Sequence, residues 1–337
     1  MRSIAVRAIR KVAVVAILAV AACTGTLASS IDGGGTGGDR VTPPSGLGGA
    51  GSVGSGGIPG SGGNAGIAGA GVDGGGSGGA IADGAASTDA PHSDKILIYG
   101  VTATGYRHAS IPAAANAIAA AAAAVGLTAE IVGATDQTNM VDRSKFTAAA
   151  LAGYGAVILL ANDGEPFGYP ATDEIQNLIA FVQGGGALVG IECVTDCYGG
   201  AVSGPMTGHP KSAPFHDLLG ATFQDHPGNF APATCTKVGT HPVIAQLAPS
   251  FRTTDEIYSF TDFRMDNQVI LNCSSSTAPA TVRPVSWVRE EGAGRVFYSA
   301  LGHADTHWTM PLDPANASRL VDDLVVPGLL WSMKRVP

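Results

Sequence analysis

The chain has 337 residues, 48 of them glycine, and a formal net charge of −8. It carries no basic stripe with interleaved aromatics, which excludes nucleic acid as a partner, since such proteins concentrate Lys and Arg on one surface. Length alone allows one or two domains, but the glycines crowd before residue 90, leaving residues 93–337 to build one sizeable core.

In chain order, the first element is an address. Arg2, Arg7, Arg10 and Lys11 form a positive n-region, and Val12 to Val20 an apolar h-region too short to span a bilayer. Val20-Ala21-Ala22-Cys23 resembles a bacterial lipobox. The resemblance implies a signal peptide over residues 1–22, cleavage before Cys23 and lipidation of its thiol. Several acyl chains on one residue anchor durably where one would not. Contact with the membrane would then be through the lipid anchor only, and Thr24 in place of Asp favours the outer membrane. An ordinary secretory signal cleaved near Ala22 or Ala28 is the alternative, and it too exports the protein. Residues 23–92 are Gly, Ala and Ser with a few Asp and Pro, without apolar periodicity. No core can offset the chain entropy there, so the segment reads as a disordered tether with an r.m.s. reach of about 40–45 Å.

The folded segment begins at Lys95. Lys95 to Gly100, Thr128 to Val132, Ala156 to Leu160 and Ala187 to Ile191 are short apolar runs of the kind that form buried parallel strands. Between them lie a helix over Ile111 to Val125, with Ser110 as its cap, and a helix from Thr172 to Gln183. This alternation predicts an α/β fold with a mostly parallel sheet covered on both faces. The second half is more irregular and partly antiparallel. Strands are expected over Thr234 to Val238, Gln268 to Asn272, Val285 to Arg289 and Arg295 to Ala300, with a final helix from Asn316 to Met333.

Open sheets of this type hold ligands beyond the carboxyl ends of their strands. Those ends carry Tyr106, Arg107 and His108 after the first strand, Asp163 after the third, Glu192 after the fourth and His303 after the last. A carboxylate beside an imidazole suits acid–base chemistry near neutral pH. Glu192, His108 and His303 are therefore expected side by side as catalytic residues, with the histidine pKa raised by the carboxylate. Tyr106, Arg107, Asp163, Asp255 and Glu256 are the candidate ligand-binding residues.

Several motifs across residues 95–335 resemble one family in order and spacing. They are Gly105-Tyr106-Arg107-His108-Ala109-Ser110-Ile111, the run Gly184 to Ile191, Leu218 to Phe223 with His226-Pro227, His241-Pro242, Thr254-Asp255-Glu256-Ile257-Tyr258, and Gly294 to Tyr298 with Leu301-Gly302-His303. Together they are similar to the ThuA-like, or trehalose-utilisation, family. The resemblance implies a flavodoxin-like layered sheet related to class I glutamine amidotransferases, with sugar or keto-sugar utilisation as the setting. In those amidotransferases a Cys nucleophile occupies the sharp turn after the strand matching Ala187 to Ile191. The family typically has Gly-Ile-His there, whereas this chain has Gly190-Ile191-Glu192, so glutamine hydrolysis is not expected. A non-catalytic carbohydrate-binding module, or a structural envelope module, is the alternative to an enzyme.

Apart from Cys23, four of the five cysteines remain: Cys193, Cys197, Cys235 and Cys273. In an oxidising compartment an even number reads as disulfides. Three pairings are possible, and Cys193–Cys197 with Cys235–Cys273 is favoured. With no H-E-x-x-H and no paired C-x-x-C, no metal site is assigned and no cofactor is required.

Overall fold

The computed structural model describes residues 93–135, 139–199, 211–278 and 281–337. The signal peptide, Cys23 and the glycine-rich tether lie outside the described residues. Strand β1 (Lys95–Tyr99), helix α1 (Ile111–Ala124), β2 (Thr128–Val132), a short helix α2 (Ala148–Leu151), β3 (Ala156–Leu160), α3 (Thr172–Gln183) and β4 (Ala187–Ile191) make the α/β half. Helix α4 (Ala213–Leu219) leads into β5 (Thr222–Asp225), β6 (Ala231–Lys237), β7 (Ser250–Asp255) and β8 (Ser259–Thr261). Then come β9 (Gln268–Ser275), β10 (Val282–Glu291), β11 (Gly294–Ser299), α5 (Asp305–Thr309) and α6 (Val326–Ser332).

Nine strands form one mixed sheet in the order β2-β1-β3-β4-β11-β10-β9-β6-β7, and β5 pairs with β8 apart from it. The strands from β2 to β11 in that order are parallel neighbours, and those from β11 to β7 are antiparallel. Every residue of β3 and β4 is buried, as a sheet covered on both faces requires. Alternate side chains of β1 divide between two cores. Ile96 and Ile98 pack with Ile111 and Ile118 of α1 and Leu329 of α6, while Leu97 and Tyr99 pack with Ile175 and Leu178 of α3 and with Phe146 and Phe167. Each such fully buried aliphatic side chain contributes about 1.5–3 kcal/mol.

The second half departs from expectation in three ways. β7 is a strand the sequence hid. Its residues alternate exposed and buried, but the buried positions are Phe251, Thr253 and Asp255, so the pattern does not read as apolar. β5 and β8 are too short to show a period. The terminal helix begins later than Asn316. Asp313 and Ser318 form an isolated bridge, and a π-helical turn over Val321–Val325 precedes α6. Pro327 lacks an N–H to donate to the preceding turn, and a wider turn accommodates that loss.

The disulfide expectation is corrected in one of its two pairs. Cys235 and Cys273 face each other in register across β6 and β9 and are bonded, with Cα atoms 4.0 Å apart. Cys193 and Cys197 are not joined and remain buried thiols. They bracket a 3-10 turn, Glu192–Asp196, whose rotation sends Cys193 into the core that holds α1 and Cys197 into the core that holds α3. Burial pushes both thiols well above the usual range, so neither is a ready nucleophile.

Replacing Cys235 and Cys273 together with Ser should lower unfolding stability by about 2–4 kcal/mol, read from chemical denaturation. Alkylation of the unreduced, denatured protein followed by peptide mass spectrometry should label Cys193 and Cys197 and spare the other pair. Labelling of Cys235, or protection of Cys193, would contradict the structure.

Candidate active site at the strand ends

Parallel strands end on one edge, and the chain leaves that edge through three turns that carry the site. After β1, the loop to α1 brings Tyr106 and His108. Ser110, expected to cap α1, makes no side-chain cap. Its hydroxyl instead lies 3.4 Å from both carboxylate oxygens of Glu192. Glu192 follows β4 with a backbone φ of 59°, in the left-handed region that favours glycine, and its side chain is fully buried. Holding a non-glycine residue there costs on the order of 1 kcal/mol or more, a strain that clusters at functional sites. After β11 comes Gly302, with φ of 134°. A Cβ there would lie 2.6 Å from the Trp308 ring and 2.9 Å from Glu192 Oε1, so glycine is what lets this loop close over the carboxylate.

The three turns bring His108, Glu192 and His303 together. One donor atom from each lies within 4.8 Å of the other two. His303 is held from behind by Asp255 at the end of β7, whose Oδ1 accepts from Nδ1 at 2.8 Å. Asp255 accepts further from the backbone N–H groups of Gly302 (2.9 Å), His303 (3.3 Å) and Glu256 (2.9 Å). His307 Nδ1 lies 3.4 Å away. A carboxylate can only accept, so Nδ1 of His303 carries the proton and Nε2 is turned toward the cavity side. There it meets the Tyr258 hydroxyl at 2.6 Å, with Glu256 Oε2 at 3.7 Å.

A cavity of about 700 Å³ opens over His108 and His303, with Glu192 fully buried beside them and outside its lining. Tyr106, Asp163, Phe223, His226, Glu256 and Tyr258 are among the residues that line it, with His108 and His303. His226 and Glu256 face each other at 3.7 Å, and Tyr106 is largely exposed at the rim.

Burial pushes the Glu192 carboxyl up to about 7, against the pull of the His303 charge. For His303 burial works against the charge, but the charge and hydrogen bond of Asp255 outweigh it, with help from Glu192 and Glu256, and the imidazole rises to about 9. Asp255 is lowered despite its burial, because His303 compensates it. His108 goes the other way. Its own burial, then the neighbouring His303 charge, push it down to about 3. The expected rise therefore occurs at one histidine and not the other, since only His303 has a carboxylate in direct contact.

The other candidates separate clearly. Asp163 and Glu256 line the cavity, though Asp163 also clasps the loop by accepting from the N–H groups of Tyr106 and Gly164. Asp255 lies behind His303, outside the cavity lining, and holds that ring through Nδ1. Arg107 is not among the residues that line the cavity. Its guanidinium donates to the carbonyls of Gly100 (2.9 Å) and Gly133 (2.6 Å) and to Asn139 Oδ1 (3.4 Å), tying the loop to the ends of β1 and β2. Residues given no site role from sequence include Phe223, His226, Tyr258 and His307, and Ser110 was expected only as a helix cap. The Thr254 to Tyr258 motif was the available signal. Asp255 is the last residue of β7 and Glu256 the first beyond it, and the two part company there, one behind His303 and the other in the cavity lining. His108, Glu192 and His303 also form a donor set for a divalent cation. No metal motif marks them, because their ligands come from three strand ends far apart in sequence.

The family model described as trehalose utilisation (ThuA) matches residues 95–315. No curated protein matches. Among solved structures, a ThuA-like protein from Bacteroides uniformis is 19% identical, covering 75% of this chain and 94% of its own, with a TM-score of 0.45. A ThuA-like protein from Parabacteroides merdae is 14% identical over 72% of this chain and 90% of its own, with a TM-score of 0.49. A glutamine amidotransferase from Thermotoga maritima is 13% identical over 62% of this chain and 75% of its own, with a TM-score of 0.36. With well over half of its length matched by the family model, this chain belongs to the ThuA (trehalose utilisation) family.

Proposed function

We propose that the domain is an enzyme of carbohydrate utilisation that binds a sugar or keto-sugar in the strand-end cavity and moves a proton at it. The observation that carries this reading is the cavity itself: about 700 Å³, walled by aromatic and polar side chains, with His108 and His303 in its lining and the buried Glu192 carboxylate within 4.8 Å of both. Sugars suit such a lining. Their C–H faces pack on aromatic rings such as Tyr106 and Phe223, while their hydroxyls pair with groups such as Asp163, His226 and Glu256. A substrate oxygen held at the floor is within reach of both an acidic and a basic partner. Glutamine hydrolysis is not this site's chemistry, because Glu192 occupies the turn after β4 and the neighbouring Cys193 thiol is buried and kept protonated.

The same reading places the enzyme outside the cytoplasm, carried by a lipid on Cys23 and a tether through residue 92. The charged n-region, the short apolar run and the Cys23 lipobox support it.

Two outcomes are expected. Glu192→Gln should reduce turnover of the responsive sugar, found by screening sugars and keto-sugars, by about 100-fold or more. Its melting temperature should stay within about 2–4 °C of the parent, corresponding to roughly 1 kcal/mol. Full turnover by this variant would rule out Glu192 at the reaction centre, and saturable binding without turnover in the parent would make the domain a binding module. Separately, Cys23→Ser should move the protein from the membrane fraction to the soluble exported fraction. Unchanged fractionation, with no acyl mass on the N-terminal peptide, would contradict the anchor.

A further inference from the structure

We infer that His108, Glu192 and His303 form a binding site for one divalent transition-metal ion on the floor of the cavity. The inference deepens the proposal above, resting on it for the identity of the working site, but needs no sugar for its test.

Three observations carry it. The first is donor chemistry. Two imidazoles and one carboxylate make a set that takes Zn(II), Fe(II), Mn(II) or Co(II), and is poorly suited to Ca(II) or Mg(II), which prefer all-oxygen shells. The second is placement. The three donor atoms already lie within 4.8 Å of one another, and an ion about 2.0–2.2 Å from each needs them roughly 3–4 Å apart. Small side-chain rotations supply that contraction, with the Tyr258 hydroxyl yielding Nε2 of His303 to the ion. The third is the support behind the donors. Asp255 fixes the proton on His303 Nδ1 and aims Nε2, as carboxylates orient metal-binding histidines, and an ion taken up at Nε2 would displace the proton there to solvent. Ser110 backs Glu192 on its other side.

Three protein donors with the cavity on the remaining side is the arrangement of a working metal site rather than a closed structural one. A sugar hydroxyl or carbonyl oxygen entering the cavity would complete the shell. Coordination would make a bound hydroxyl more acidic. Glu256, which lines the cavity and is not among the three donors, would accept its proton.

The test uses the full chain, stripped with a chelator, dialysed and titrated with Zn(II), Mn(II) and Co(II) by calorimetry, with bound metal counted by mass spectrometry. One ion per chain is expected, with Co(II) giving visible absorption bands. His108→Ala and His303→Ala should each weaken binding at least tenfold, and Asp255→Asn by about 10–100-fold. His241→Ala, whose ring lies against Trp331 away from the site, should bind as the parent does. Thermal melts of the stripped variants confirm folding, and half-buried His108 is the substitution least able to disturb the core. Failure to bind any of the three ions stoichiometrically, or binding that survives His108→Ala unchanged, overturns the inference. Sugar turnover by protein shown to hold no metal overturns it while sparing the carbohydrate reading. Stoichiometric metal in a protein that neither binds nor turns over sugars does the reverse.

Discussion

The hydrogen bond between Asp255 and His303 is the contact on which the site depends. Both side chains are fully shielded from solvent, so neither charge survives there without the other. Removing one partner of such a buried pair typically costs about 3–5 kcal/mol, because it strands the remaining charge. Asp255 meets this demand by gathering three backbone N–H groups besides the imidazole. Two of them belong to Gly302 and His303, so the carboxylate shapes the loop after β11 as well as orienting the ring. The sheet places β10, β9 and β6 between β11 and β7, a span of about 19 Å if flat. The loop that follows β11 nonetheless meets the end of β7, where Asp255 accepts from Gly302 and His303. The irregular half thus supplies what the parallel half cannot: a support for the third side chain of the floor.

From the other side, the parallel half supplies a strained turn. Glu192 occupies a left-handed backbone position, is fully buried, and lies against Ser110 and the Gly302 loop. None of these features helps a fold stand. Ser110 forgoes a cap that would stabilise α1 by about 1 kcal/mol and turns to the carboxylate instead. Backbone strain, a forgone cap and a buried carboxyl converge on one residue, which is the pattern of a site maintained for chemistry.

Much of this was legible in the sequence, for identifiable reasons. The strands of the parallel half are continuous apolar runs, and the rule that their carboxyl ends share an edge is enough to bring His108, Glu192 and His303 together. What stayed hidden depends on contacts rather than pattern. β7 alternates correctly, but its inward residues include Thr253 and Asp255, which composition reads as surface. Asp255 and Glu256 look like one acidic pair, yet the chain leaves β7 between them, so that one lies behind His303 and the other lines the cavity. Arg107 sits in the same motif as His108 but donates to the backbone carbonyls of Gly100 and Gly133 and to Asn139. Cys193 and Cys197 are near in sequence, but the turn between them aims them into opposite cores. The opposite fates of the two histidines follow from a single carboxylate contact that no spacing rule reveals.

The central claim is that a sugar meets the protein over the floor formed by His108, Glu192 and His303. A crystal structure of the domain soaked with the sugar selected by screening tests it most directly. The account predicts a sugar oxygen within hydrogen-bonding or coordination distance of at least two of the three side chains, with an aromatic wall residue against its ring. A sugar seated elsewhere, for example in the hollow lined by Pro232, Thr254 and Asp313, with the strand-end cavity holding only solvent, would contradict it.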